Sequence, residues 1–490
     1  MKRFFIGIIS FCISATLYAQ NYTDALRYSE NFPMGNARFT AMSGAFGALG
    51  GNISGVSVNP AGSAVFKQSA MELTPSFLHT KTQNYYLGTY NASFTSSLAI
   101  PNIGVALAYE TSENDLMVSG ITFAFAVNRQ NYFNKLANFN AFNTKHSLTD
   151  DFLRNANANN MGAAYGDLAW NTYLFDYDSV ADMFESDFRW YDGGYEYVLY
   201  GHQQDIGHRK SGIIKEYMFN LGVDFSEYVF LGASLNIDAV KYSEIFDIRE
   251  TDIDDINYLD NYIYSSNLDV NGSGVNGKIG VIVKPHEILR LGFAAHSPTM
   301  YALKEEYTAS IKSNYDIPID GTNYSLKRTY DSHFDYFIRK PGKIVGSLGL
   351  VYKNIAMVGL DYESVNYMYS QISANFENFA HENNEIREQL SRVNNIKAGA
   401  EVRYAAFSFR GGFALYENPY TNIDFEKRFY KQDISAGIGI SNNNFYCDFS
   451  WVKSKQLSQK LLYHDFHGNP VTAKSDKYSD NIFVTFGLKF

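Results

Sequence analysis

The chain ends on Ile482, Val484, Phe486, Leu488 and Phe490, which alternate with Phe483, Thr485, Gly487 and Lys489. Side chains that repeat every second residue share one face of a strand, and this period returns along most of the sequence. Phe445, Cys447, Phe449 and Trp451 alternate with Tyr446, Asp448, Ser450 and Val452. Phe407, Phe409, Gly411, Phe413 and Leu415 alternate with Ser408, Arg410, Gly412, Ala414 and Tyr416. The same pattern runs through 396–404, 289–296 and 219–225. One face is apolar throughout, while the other mixes small, polar and charged residues. That is the lipid-out, lumen-in signature of a transmembrane β-barrel of the outer-membrane type. No stretch after residue 20 approaches the roughly 18 apolar residues of a membrane helix. The fold class expected is therefore all-β.

Connections alternate in length. Tight turns fall at Ser226–Tyr228, Pro285–Glu287, Lys353–Asn354, Ala405–Ala406 and Asn442–Asn444. Long polar connections are expected at 133–211, 249–262, 297–338, 372–392, 418–430 and 459–477. A naive count gives fifteen strands, which would put turns and loops on inconsistent sides. Parity resolves this. Tyr90, Ala92, Phe94, Leu98 and Ile100 are even, whereas Ile103, Val105, Leu107 and Tyr109 are odd. A one-residue shift at Pro101-Asn102 reads as a β-bulge, a position that tolerates proline. Merging the two segments gives a 14-stranded antiparallel barrel with both termini on the short-turn, periplasmic side.

The N-terminal part has a different character. Lys2 and Arg3 precede an apolar run from Phe4 to Leu17 and then Tyr18-Ala19-Gln20, the layout of a secretory signal peptide cleaved after Ala19. Its removal takes Cys12 away and leaves Cys447 alone, so no internal disulfide is expected. Residues 20–66 are crowded with glycine (35, 44, 47, 50, 51, 55 and 62), interleaved with Phe39, Met42, Phe46, Leu49, Val56 and Val58. Such density weakens helix and strand alike, yet these apolar residues need burial. A plug inside the barrel meets both demands. The expected division is 1–19 signal peptide, 20–66 plug and 67–490 barrel. A net charge of −10 disfavours a nucleic-acid partner.

Two stretches of the plug carry a resemblance. Ala37-Arg38-Phe39-Thr40-Ala41-Met42-Ser43-Gly44-Ala45-Phe46-Gly47-Ala48 and Val58-Asn59-Pro60-Ala61-Gly62, placed between a signal and a barrel of this strand count, resemble the FadL/TodX-type outer-membrane transporters of hydrophobic compounds. Asn59, Pro60 and Ala61 match the Asn-Pro-Ala signature of that family's N-terminal hatch. The resemblance implies a non-enzymatic barrel without cofactor, monomeric, in the outer membrane. A long-chain fatty acid or aromatic hydrocarbon enters from the loops, and the hatch moves to release it through a gap in the wall into lipid. Asn59 would bond hatch backbone and Pro60 fix its turn, while Phe39, Met42 and Phe46 would line the gate. The family's opening lies at a kink in the third strand, whereas the visible break here is at Pro101 in the second. The ending at Phe490 resembles the signal read by the barrel-assembly machinery. A second class stays open: a barrel of the same kind that does not transport but serves protein secretion or surface assembly, like the PorV-type shuttle. Haem uptake is a lesser variant.

Other motifs weigh less. Gly272-Ser273-Gly274-Val275-Asn276-Gly277 matches a dinucleotide fingerprint, but the strand-like Lys278–Val283 follows where a helix is required. His464-Asp465-Phe466-His467 lacks a third metal ligand nearby, and the acidic stretch Glu250, Asp252, Asp254, Asp255, Asp260 lacks calcium-loop spacing. No metal site is expected. Lys397, Glu401, Arg403, Arg410, Asp448, Asp361 and Lys489 take the lumen parity on neighbouring strands. They read as an ion-pair ladder, or, with Arg410 foremost, as a basic group for a ligand carboxylate.

Overall fold

The computed structural model describes residues 21–111, 117–192, 195–253, 258–319, 321–353, 355–421 and 429–490. The signal peptide with Cys12, and Asp254 and Asp255 of the acidic stretch, lie outside the described residues. Fourteen antiparallel strands form one closed barrel. In chain order they are β1 (Ala70–Tyr86), β2 (Thr89–Glu110), β3 (Gly120–Tyr132, resuming as Lys135–Asn143), β4 (His202–Phe225) and β5 (Val229–Asp252). Then come β6 (Leu259–Val283), β7 (Leu289–His296 and Thr299–Tyr315), β8 (Ser325–Lys340 and Lys343–Tyr352) and β9 (Ala356–Asn366). The last are β10 (Arg392–Tyr404), β11 (Phe407–Glu417), β12 (Phe429–Ser441), β13 (Phe445–Gln456 and Gln459–His464) and β14 (Pro470–Lys489). β14 returns to pair with β1 from Ala70↔Lys489 to Tyr85↔Lys474, which closes the ring.

The alternation reads out as lipid-type exposure. Ile279, Phe293, Phe409, Ile396 and Leu488 point outward and are exposed, while their sequence neighbours face a filled lumen. β2 is continuous across Pro101. Thr74 pairs with Asn102 but Ser76 with Ala99, so β2 carries one extra residue there. Phe94, Leu98 and Ile100 before the bulge, and Ile103 and Tyr109 after it, all remain exposed. The tight turns lie where the alternation places them, with Ser226, Glu227, Lys353 and Ala405 at positive φ; Asn354 of the Lys353–Asn354 turn lies outside the described residues.

Two expected long loops are largely strand. Within 297–338, β7 and β8 run on to Tyr315 and from Ser325, and within 459–477, β13 and β14 extend as Gln459–His464 and from Pro470. Above a lipid belt neither face of a hairpin must be apolar, so the alternation fades while the ladder continues. The 133–211 region holds extensions of β3 and β4 and a helix, α3 (Leu148–Asn157). A capping box from Ser147 and Asp150 starts α3, and the Leu148 N–H donates to Glu250 Oε1 (2.8 Å). Its Phe152 and Leu153 pack with Phe175, Phe188, Ile206 and Ile248 in a core at the long-loop end. The fingerprint-like Gly272–Gly277 lies within β6 as strand, and a Cβ on Gly274 would strike the Tyr301 ring of β7.

Residues 21–66 occupy the lumen. They begin with α1 (Tyr22–Ser29) in the half toward the long loops and descend through α2 (Ala37–Ala41) and 3₁₀ turns at Ser54–Ser57 and Pro60–Val65. Ala37 N–H donates to Thr485 Oγ1 of β14 (2.7 Å), the Thr40 hydroxyl meets Ser450 of β13 (2.7 Å), and the Ser43 hydroxyl meets Ser435 of β12 (2.8 Å).

Candidate functional site

Asn59 and Pro60 are built into the lower part of this luminal segment. Asn59 is extended, and its Oδ1 accepts from Ala61 N–H (3.1 Å), which caps the turn that Pro60 opens at its first position. The same side chain donates through Nδ2 to Gly47 O (2.6 Å) and to Val281 O of β6 (3.2 Å). One amide therefore ties together two passes of the plug and the wall. Ala61 is fully buried against Ala64, Phe230 and Ile282.

The wall is shaped to receive this backbone. Gly222, Gly232 and Gly280 pair directly across β4, β5 and β6, and Gly349, Gly359, Gly399 and Gly412 across β8 to β11. Cross-strand glycine pairs give a sheet no side-chain contact. Their function is room. A Cβ on Gly232 would lie 2.3 Å from the Pro60 carbonyl, and one on Gly280 would lie 1.9 Å from Asn59 Oδ1. Gly399 is held free for Met42 in the same way, with its Cβ position 2.6 Å from Met42 O. A glycine on the lumen parity in each of these strands was a signal the sequence contained, and the plug's track along the wall is what the row encodes.

Phe39, Met42 and Phe46 come together with Leu49, Val58, Ala294 and Val345 in a sealed cluster, Phe39 and Phe46 stacked at 5.9 Å. Arg38 crosses the Phe46 ring at 5.4 Å and donates to Glu401 Oε2 (2.8 Å) and Gly51 O (3.0 Å). Arg410 is not among those three. Its Nε donates to Glu401 (2.6 Å) and its Nη1 to Asp448 (2.6 Å), while Arg403 adds a further bond to Glu401 (2.6 Å). Asp361 accepts from Gly47 N–H (3.0 Å), and Lys397 faces Glu363 (3.7 Å). The ladder thus bonds wall to wall and wall to plug. Glu401 accepts from three arginines at once.

The wall itself is interrupted in one sector. β3 pairs with β2 only from Gly120 to Asn128, the last pair being Asn102↔Asn128. Beyond it β3 slips by one residue against β4 between Arg129 and Asn131, breaks, and resumes at Lys135 still paired with β4. The resumed piece passes inside β1 and β2, where Leu136 O accepts from the Thr82 hydroxyl and Asn138 N–H donates to Ser93 Oγ (3.2 Å); just before the break, the Tyr132 and Ser97 hydroxyls meet at 2.5 Å. Among the described residues, β2 therefore has no ladder partner on this side over 89–101, and Leu98 stands 84% exposed at that edge. The luminal segment takes the edge that β3 leaves free, with Phe32 N–H donating to Gln130 O (3.0 Å) and Met34 N–H to Arg129 O (2.8 Å). The parity break at Pro101 is a local bulge in a ladder that stays paired to β1, whereas the opening belongs to β3. The polar run Asn128-Arg129-Gln130-Asn131, which ends the apolar alternation of Ile121, Phe123, Phe125 and Val127, was the signal for it.

Beside Ser29 and Asn31 lies a luminal cavity of about 30 Å³, lined by Glu216, Asp238, Lys278, His296, Lys343 and Glu363. That is room for about two water molecules. His296 Nε2 meets Val58 O (2.9 Å), and the Lys278 ammonium pairs with Glu216. Water in this cavity would solvate the paired charges.

The chain shares its fold with a Pseudomonas aeruginosa FadL homologue (TM-score 0.53, 13% identity, covering 93% of this chain and 99% of that one). It is also similar to the Pseudomonas putida toluene transporter TodX (TM-score 0.52, 11% identity, 93% and 98% covered). A deltaS2 mutant of the TodX monoaromatic hydrocarbon channel is similar too (TM-score 0.54, 12% identity, 93% and 98% covered). No protein-family model matches the chain, and no curated protein matches it.

Proposed function

We propose that this protein is an outer-membrane passage for hydrophobic small molecules, of the fatty-acid or aromatic-hydrocarbon kind, which leave sideways between β2 and β3. The observation that carries this reading is the unpaired edge of β2 over 89–101, which bears outward apolar residues such as Leu98; among the described residues β8 also lacks a far-side partner over 325–336, but that stretch is largely polar. In hydrocarbon an open edge leaves backbone groups without partners, each at a cost of several kcal/mol. A sequence that bends β3 inward and fills its free edge with the luminal segment has therefore kept the break for use. The outward apolar belt suits residence in lipid, and the closed-barrel architecture is the one that spans an outer membrane with polar residues inside. Transfer of the cargo from water into apolar surroundings supplies the drive, at about 25 cal/mol per Å² of apolar surface removed from water. The gate-lining role of Phe39, Met42 and Phe46 requires the plug to shift, because all three are sealed here. Arg410 meets a ligand carboxylate only by leaving Glu401 or Asp448.

One observation favours the second reading, a barrel that serves secretion or surface assembly: the plug's apolar cluster is sealed and the cavity beside it is polar. The two separate by uptake. Outer-membrane vesicles carrying the protein are expected to take up a fluorescent long-chain fatty acid or toluene faster than vesicles without it. Replacing Asn59 and Pro60 by alanine should change that rate while the barrel still assembles. Uptake equal to the control, with envelope proteins co-purifying instead, would favour the second reading.

A further inference from the structure

Among the described residues, the opening carries cations that make no ion pair. Arg129 follows Asn128, the last residue of β3 paired to β2, and so stands at the foot of the break. Its side chain is only 7% exposed, and its Nε and Nη1 have no hydrogen-bond partner. The guanidinium lies 5.3 Å from the centre of the Tyr132 ring, and the Lys477 ammonium of β14 lies 5.8 Å from the same ring. Lys135, six residues beyond Arg129, donates only to uncharged oxygens, Ser458 Oγ (3.0 Å) and Ser475 O (3.1 Å). Among the described residues no carboxylate pairs with any of the three. Of the acids in this region, Asp433 holds Lys431 (2.5 Å), Glu244 accepts from His208 (2.6 Å) and Arg27 (3.2 Å), and Asp476 of β14 acts on Lys135 only at longer range, without an ion pair.

A buried cation without an anion is strongly unfavourable, and Lys477 at the same ring, with Lys135 close to Lys477, adds to the positive charge there. We propose that Arg129, Lys477 and Lys135 form a seat for the phosphate head group of an amphiphile lodged in the wall opening. Phosphate answers three cations better than a carboxylate does, since a phosphate monoester carries about −1.5 to −2 at pH 7 and offers three acceptor oxygens. Arginine's planar fork suits it. The tail is placed by the same geometry, because Ser97 meets the Tyr132 hydroxyl and its neighbours Leu98 and Ile100 are exposed on the unpaired β2 edge. The inference rests on the lateral-passage reading and narrows it from hydrophobic molecules in general to anionic amphiphiles.

The test uses the full-length barrel in a neutral detergent and three probes: 1-oleoylglycerol 3-phosphate, uncharged 1-oleoylglycerol, and inorganic phosphate. The phosphorylated lipid is expected to bind at least about tenfold tighter than its neutral counterpart. Arg129→Gln should remove that advantage without changing 1-oleoylglycerol binding, and Arg129→Lys should restore part of it. Lys477→Gln should act in the same direction, which guards against a folding defect in one variant. Equal binding of the two lipids, unaltered by Arg129→Gln, would overturn the seat and leave the passage standing. Displacement of the phosphorylated lipid by inorganic phosphate at equal concentration would assign the seat to a free anion and overturn the amphiphile. If neither lipid binds the unaltered barrel, the seat and the passage both fall.

Discussion

Glu30, just past α1, shows how single residues tune the luminal segment. Burial disfavours its charged form and raises the carboxyl to about 7, although the Tyr430 hydroxyl that donates to it and the nearby Lys431 charge pull the other way. The folded state therefore prefers the neutral acid. The stabilisation is complete below the ordinary value of 4.5 and is lost as pH rises through about 7. Docking of residues 21–36 should accordingly loosen between pH 5 and 8, and Glu30→Gln should flatten the dependence. A spin label at Asn31 would read this as mobility that increases with pH, whereas mobility that is flat or falls in the unaltered protein would contradict it. Residue roles were partly legible in the sequence. Asn59 and Pro60 could be read as a cap and its turn because both act on adjacent backbone. Arg129 could not, because its isolation depends on which carboxylates fail to reach it.

At the level of elements, the glycines facing the plug and the break in β3 matter most. Strand glycines weaken a sheet by roughly 0.5–1 kcal/mol each relative to alanine, so their alignment from Gly349 to Gly412 needs a return, which the close-packed plug backbone provides. Gly232→Val should therefore collide with Pro60 and lower barrel stability by about 1–3 kcal/mol. Gly346→Val, whose added Cβ meets nothing within 4 Å, should stay within about 0.5 kcal/mol. Heat-dependent gel mobility of the two variants checks this, and an equal effect would show that the glycines do not serve to make room for the plug. Strands inside the lipid belt were readable because lipid forces alternation on them, even through the bulge at Pro101. The upper hairpins of β7, β8, β13 and β14 were not, since both of their faces can be polar. The inward turn of β3 was missed for a related reason. Its polar run resembles the start of a loop, and only the ladder to β4 shows that it is still strand.

For the whole molecule, one ladder closes from β14 to β1, a segment threaded from the long-loop end fills its lumen, and an ion-pair network links the two through Arg38, Glu401 and Arg410. This arrangement resists withdrawal of the plug, because Asn59, the wall glycines and Arg38 would all have to release together. The wall between β2 and β3 is different: a hydrogen bond between the Tyr132 and Ser97 hydroxyls and one from Asn138 N–H to Ser93 span it instead of a ladder. Passage through that sector is the central claim, and blocking it is the direct test. In a Cys447→Ser background, cysteines at Ser97 and Tyr132 would be joined by a short, reducible bifunctional thiol reagent. Uptake of a fluorescent fatty acid should fall to the level of vesicles without the protein and recover on reduction. Uptake that continues unchanged in the fully cross-linked barrel would show that cargo does not leave between β2 and β3.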